Sequence, residues 1–449
     1  MMSGAKMKWS TAAVDARLLR VIATAGASYV GRFGAGLVIL LTVPMARRAL
    51  DSELFGAWMM LTALLGFFAF ADLGVGNGVL NRVTQARAGN DHKRMQQVIG
   101  SGYVCTIGVA VLLLLAWCAF VGFSANPVVV AGRISATHHA EVLAALDTFA
   151  VLLALNIPAS LVQKAQLGAQ QGHWIGITQL VSAAISIVAV PTILHLDGPL
   201  SALILATLGA QVAANIGSTV LWLRRNRVFR DSTLRELVDT ATVVQLLRTG
   251  SQFFALQLAV AFAFQSDAIV ITQRIGQAAY GDFSIVQKLF LFVSMILSSA
   301  LLGLWPAFGD AIARGDRKWA HRVLVRSLLV AGAFASCAAF VLASSMEWIT
   351  SHWLQTAFSP PVSLCVALGI WTVMDALGAV SGVFMNGANL VRIQILFAVA
   401  MGAIAFAGKW FLTPVYGPTG AVVATILAYG LVSIPGQIYI YRKFFATWK

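Results

Sequence analysis

Apolar residues run along this chain in continuous stretches rather than in alternation. About twelve of these reach the ~20 residues a helix needs to cross a bilayer. They fall at 21–46, 54–80, 97–122, 141–163, 174–195, 198–223, 248–272, 282–309, 321–345, 361–386, 393–413 and 420–441. Strands of a membrane barrel would alternate polar and apolar positions, so the pattern argues against a barrel. Helix is expected throughout, because lipid offers no partner to an unpaired backbone N–H or C=O. The chain reads as an all-α integral membrane protein with about twelve transmembrane helices.

A repeat is visible at an offset of 225 residues. Phe55-Gly56 falls on Tyr280-Gly281, and ARAGNDHKRMQQVI (86–99) falls on AIARGDRKWAHRVL (311–324). Ala86, Ala88, Asp91, Lys93 and Val98 are identical to Ala311, Ala313, Asp316, Lys318 and Val323. Each half holds six spans, so both halves start on the same side of the membrane and the repeat is parallel. Two six-helix bundles related in this way enclose a central cavity, as transporters require. The expected organisation is a first bundle over 1–223, a cytoplasmic linker over 224–247 and a second bundle over 248–449. Within the linker, LRELVDTATVVQLL suggests a short surface helix.

Composition removes the soluble alternatives. Charged residues make up 11% of the chain, against ~25% in soluble proteins, and mean hydropathy is +0.82. Lys and Arg set the orientation. With the amino terminus in the cytoplasm, 24 of the 31 basic residues lie inside; five (Arg47, Arg48, Arg133, Arg274 and Lys409) lie outside. Both termini are then cytoplasmic. The net charge of +14 suits an anionic inner leaflet, and no soluble basic domain exists to bind nucleic acid. The leader is either a basic interfacial helix or a solvated tail, and the first span reads as a retained helix. Cys105, Cys118, Cys337 and Cys365 lie in apolar runs and read as small buried hydrophobes.

Charge inside the spans is the candidate chemistry, since each buried ion costs roughly 2.5–3.5 kcal/mol even on lenient scales. Arg32 lies midway along the first span and Asp72 toward the cytoplasmic part of the second. They form either a buried salt bridge or an anion-binding group with its orienting carboxylate. Asp267 and Lys288 lie near the outer side on adjacent helices, where mutual pairing is expected; Lys288 also adds a cation to the cavity wall. Asp375 shares a helix face with Gly378, Gly382 and Asn386. It is either an ion-coupling site or a packing residue, and the Gly378/Gly382 pair offers a small-residue surface for close approach. Gly74, Gly76 and Gly78 permit a bend or tight packing. Asp147 is shallow. GAIAFAGKW (402–410) departs from a phosphate loop in spacing and lacks the following Ser/Thr, so no ATP site is expected. His138, His139 and Glu141 read as solvated rather than metal-binding. No metal or cofactor, and no catalytic constellation, is expected.

LDSELFGAWMMLTALLGFFAFADLGVGNGVLNRV (50–83) and QSDAIVITQRIGQAAYGDFSIVQKL (265–289) resemble the helix 2 and helix 7–8 regions of polysaccharide and O-antigen lipid flippases. These belong to the multidrug/oligosaccharidyl-lipid/polysaccharide (MOP) exporter superfamily. The resemblance covers almost the whole chain. It implies alternating access that moves an undecaprenyl-diphosphate-linked oligosaccharide across the bacterial cytoplasmic membrane, with Arg32 and Lys288 as the cavity cations. It also implies membrane lipids, and polymerase or ligase machinery, as partners. A multidrug/cation antiporter of the same superfamily is the first alternative; such proteins typically place an acid where this chain has Arg32. A membrane-embedded glycan polymerase is the second, opposed by short loops.

Overall fold

The computed structural model describes residues 30–31, 33–67, 71–226, 234–248, 250–251, 254, 266–301, 304–355, 358–388 and 390–447. Arg32 and the leader lie outside the described residues. Among those described there is no strand, and nine helices are long and apolar enough to span a membrane.

The amino-terminal half holds α1 (33–49), α2 (Ser52–Phe67), α3 (Val75–Ala88), α4 (His92–Phe123), α5 (His139–Gly168), α6 (His173–His195) and α7 (Leu200–Arg225). Two short helices, α8 (Leu234–Leu237) and α9 (240–248), form the linker. The carboxy-terminal half holds α10 (Asp267–Arg274), α11 (Gln277–Leu301), α12 (Leu304–Ala313), α13 (Arg317–Ser344), α14 (Val362–Gly387), α15 (Val391–Tyr416) and α16 (Pro418–Ala446). α3, α4, α5 and α7 pack together in one bundle and α12, α13, α14 and α16 in the other; α2 and α11 cross between them.

The second span is two helices, not one. Leu73 and Gly74 both take left-handed backbone, with φ of 53° and 76°. The Asp72 carboxylate accepts the N–H of Gly74 at 2.9 Å and of Gly76 at 2.8 Å. A short acid before a glycine caps the new helix by satisfying its first donors. This helix then continues to Ala88, past the expected end at 80. At the other end of the chain, Gly417 (φ 64°) stops α15 and Pro418 opens α16, the usual asymmetry of helix ends.

The repeat survives down to single hydrogen bonds. Asn90 (φ 52°) and Gly315 (φ 74°) stand 225 positions apart in the same left-handed turn. The N–H of Asp91 reaches Ala86 O and that of Asp316 reaches Ala311 O, each at 2.9 Å. Both aspartates cap the following helix, Asp91 accepting from Arg94 N and Asp316 from Trp319 N.

The two halves touch through polar contacts at the end where α1 finishes and α11 begins. Arg47 pairs with Asp282 at 3.0 Å, and Arg48 donates to the carbonyls of Trp353 and Leu354. Trp353 Nε1 donates to Leu40 O, Gln273 Nε2 to Val129 O, and Gln277 Nε2 to Ala131 O. Gly56 and Gly281 meet at the crossing: a Cβ on Gly281 would lie 3.1 Å from the Gly56 Cα.

Candidate functional site

A cavity of about 460 Å³ opens among α1, α2, α5, α6 and α7. Its polar wall is neutral: Thr42, Thr62, Gln163, Thr178, Gln179, Ser182, Ser186, Thr207, Gln211 and Asn215. Among the described residues, Lys288 is the one charge on the wall, carried in from α11 of the other half, and no carboxylate lines the cavity. Trp58 also lines it, and its buried indole N–H has no acceptor among the described residues. Amides fix the wall: Gln163 Nε2 donates to Asn215 Oδ1 at 2.7 Å and Asn215 Nδ2 to Asn156 Oδ1 at 2.9 Å.

A second, smaller cavity of about 180 Å³ lies between α10, α11, α14 and α16 and has the opposite character. Asp267 and Asp375 both line it. Ser294 Oγ donates to Asp375 Oδ2 at 2.7 Å, and Gln287 Nε2 to Asp267 Oδ2 at 3.4 Å.

The expected Asp267–Lys288 pair is not formed. Asp267 pairs with Lys409 at 2.8 Å, and Lys409, expected in an outer segment, is fully buried on α15. Lys409 Nζ also donates to Ser266 Oγ. The reason is helical rotation. Gln287 and Lys288 are neighbours, but ~100° separates them around the helix, so Gln287 faces the second cavity and Lys288 the first.

The other expected residues have structural positions. Asp72 caps α3, as above; its expected partner Arg32 lies outside the described residues. Gly74 supplies the left-handed turn. A Cβ on Gly76 would meet the Asp72 carboxylate and Lys164 Cγ (2.9 Å), and one on Gly78 would meet Leu246 at 3.0 Å. Gly378 admits the Tyr429 phenol, whereas Gly382 has nothing within 4 Å of its place for a Cβ. The Gly378/Gly382 surface is therefore close-packed at Gly378 alone. Asp147 is exposed and accepts from Trp117 Nε1 at 2.8 Å. Cys105 and Cys365 are buried as expected; Cys118 and Cys337 are exposed instead.

Reading for charge alone missed Lys409 and the neutral amides. Their signal was present: Gln163, Gln211 and Asn215 all lie within expected spans, and an amide inside a membrane helix seeks a partner on another helix.

The larger cavity lies within the amino-terminal half and, among the described residues, takes only Lys288 from the other, rather than lying centrally between the bundles as the repeat suggested. Two helical bundles with such a cavity fit a transporter. Residues 22–312 match the family described as "Polysaccharide biosynthesis protein", and the chain belongs to that family. It is 21% identical over 445 residues to a "Putative O-antigen transporter" of Salmonella typhi, covering 95% of this chain and 98% of the relative. In fold it is similar to an inward-facing multidrug resistance MATE family transporter of the MOP superfamily. That likeness has a TM-score of 0.70 at 13% identity and covers 92% of this chain and 98% of the other. It is also similar to a MOP superfamily transporter from Pyrococcus furiosus described as having a binding pocket of reverse polarity. There the TM-score is 0.63 at 13% identity, with 96% of each chain covered.

Proposed function

We propose that this protein is a flippase that carries an undecaprenyl-diphosphate-linked oligosaccharide across the bacterial cytoplasmic membrane by alternating access. One observation carries the reading: a cavity whose polar lining is hydroxyls and amides and which, among the described residues, has no carboxylate and Lys288 as its one cation. Hydroxyls and amides are the partners that sugars use, and an ammonium held away from bulk water attracts a diphosphate strongly. Arg32 is the second proposed cation, from its place in the first span. The similarity to O-antigen transporters supports this cargo. A cation antiporter fits less well, because the described lining of the larger cavity offers a drug cation no counter-charge.

The contacts that join the halves at the ends of α1 and α11 are read as a closed outer gate. On this reading the termini and linker are cytoplasmic and the bundles span 1–223 and 248–449. Asp375, with Asp267 on the same wall, is the proposed place for ion coupling, and polymerase or ligase machinery removes the cargo outside.

Surface polysaccharide tests the cargo site. Lys288→Gln is expected to lower it on the order of tenfold or more, the loss of one charge-assisted hydrogen bond, with normal protein accumulation in the membrane. Lys288→Arg is expected to retain most export. Normal surface polysaccharide in Lys288→Gln would remove the lysine from cargo binding.

A further inference from the structure

The twin turns before α4 and α13 share their backbone but not their surroundings. On α4, Gly100 and Ser101 are buried beneath the linker. The Leu237 carbonyl sits where a Gly100 side chain would begin, and Asp239 N donates to Ser101 Oγ at 3.1 Å. Arg94 meets Asp239 there at 3.5 Å. The repeat carries Gly100 and Ser101 onto Val325 and Arg326, which are both exposed. No described segment covers them.

The uncovered face is also recharged. His92 and Gln97 of α4 become Arg317 and Arg322 on α13, and Lys93 is matched by Lys318. Arg317, Lys318, Arg322 and Arg326 line a cleft of about 810 Å³ that has no carboxylate on its wall among the described residues. Phe445 of α16 forms the far side, its ring edge-on to His321 at 5.1 Å. Lys318, Arg322 and Arg326 meet no carboxylate among the described residues. The same helical stripe continues through Val325 (40% exposed) and Leu329 (68% exposed). The cleft thus has a cationic mouth and an apolar exit along one helix.

We propose that this cleft binds the headgroup of an anionic phospholipid in the adjoining leaflet, with its acyl chains along Val325 and Leu329. The occupant stands where the linker stands on the other half. A soluble anion would satisfy the guanidinium groups but would leave the apolar stripe unused. Arginine forks match phosphate oxygens in a way a lone point charge does not, and basic clusters at the membrane boundary attract acidic lipid. The inference is independent of the cargo.

The test uses the full chain in neutral detergent, titrated with short-chain phosphatidylglycerol and, separately, phosphatidylcholine, with lipid adducts counted by native mass spectrometry. Phosphatidylglycerol is expected to bind the wild type in preference to phosphatidylcholine. Neutralising Lys318→Gln, Arg322→Gln and Arg326→Gln together should weaken that binding on the order of 100-fold. The swap Lys318→Arg, Arg322→Lys and Arg326→Lys keeps all three charges but only one fork, so it should bind between the two, several-fold more tightly than the neutralised protein, and it guards against a folding defect. Lys93→Gln on the twin helix should change nothing. Equal phosphatidylglycerol binding by wild type and the neutralised protein would overturn the proposal, as would equal binding of the two lipids. Displacement of the lipid by an equal concentration of inorganic pyrophosphate would assign the cleft to a soluble anion and overturn it as well.

Discussion

The amino-terminal half sets hydroxyls and amides among the apolar side chains of its cavity and, among the described residues, receives a single lysine from its partner half. The carboxy-terminal half lines a smaller cavity with two aspartates and closes one of them against a buried lysine. Both halves descend from one repeat, down to the capping aspartates at 91 and 316. The difference shows how a duplicated bundle divides labour. One copy keeps room and neutral hydrogen-bonding groups; the other keeps charge and spends little volume on it. Lys288 links the two, since it belongs to the charged half by sequence and to the roomy half by orientation.

Lys409, fully buried, and Lys288, half-buried on the cavity wall, give the largest expected effect. Removing Lys409 leaves Asp267 buried without its ion-pair partner, which costs roughly 3–5 kcal/mol. Lys409→Ala is therefore expected to fail to accumulate in the membrane, while Lys409→Ala with Asp267→Ala accumulates near the wild-type level. Quantitative immunoblotting of membranes checks both. Lys288→Gln, by contrast, is expected to accumulate normally. If Lys409→Ala accumulates as well as Lys288→Gln, the two lysines do not differ as the comparison says.

The glycines at the crossing come next. A methyl on Gly56 would run into the Gln277 carbonyl, and overpacking of this kind costs about 1–3 kcal/mol. Gly56→Ala is expected to push the halves apart at that end. A cysteine at Thr62, on the cavity wall, should then react with an impermeant maleimide added outside the cell roughly tenfold faster than in the parent. Gly281→Ala meets Phe55 at 2.9 Å and the Gly56 Cα at 3.1 Å, a milder overlap than that of Gly56 with the Gln277 carbonyl, so a smaller gain is expected there. Unchanged reactivity in both variants would place the gate elsewhere.

Much of this architecture was legible beforehand because the bilayer allows so few solutions. Continuous apolar runs had to be helices, and the 86–99 repeat foretold a turn that recurs hydrogen bond for hydrogen bond. The glycine-rich end of the second span announced the break between α2 and α3. What escaped was rotation about each helix axis. Gln287 and Lys288 are adjacent in sequence and face different cavities, so span-level depth suggested the wrong partner for Asp267. Lys409 escaped because its place near the outer end of a span reads as loop, whereas α15 runs on to Tyr416. Asp72 was found, but its carboxylate serves two backbone N–H groups of the next helix, a local use that charge pairing hides.

The ion pair between Arg47 and Asp282 tests the same gate with less force. The side chains are 15% and 36% exposed, so the pair is worth about 1 kcal/mol or less. Arg47→Ala is expected to raise the outside reactivity of the Thr62→Cys reporter by about threefold. Asp282→Ala should do the same, and the double variant should add little to either. Additive effects would mean the two residues act separately and that the gate rests on the glycine crossing alone.

The smallest expected effect concerns the linker, which covers one half and has no described twin on the other. Asp239 caps α9: the Thr242 hydroxyl and the Thr242 backbone N–H donate to its carboxylate. The Thr242 hydroxyl, with help from backbone N–H groups and Arg94, holds the Asp239 carboxyl below the usual carboxylate range. A lowered folded-state value means the unfolded form takes up the proton first. The cap's contribution is therefore full above the ordinary carboxylate range and is lost as pH falls through the folded-state value. Amide hydrogen exchange over 240–248 is expected to be slow near neutral pH and to quicken, after correction for intrinsic rates, on acidification toward pH ~3. Asp239→Asn keeps a side-chain acceptor but cannot titrate, so its exchange should be somewhat faster at neutral pH and flat across the same range. If the wild type is equally flat, the carboxylate does not hold the linker against Ser101, and the cover over that half depends on the burial of Leu237 and Leu246.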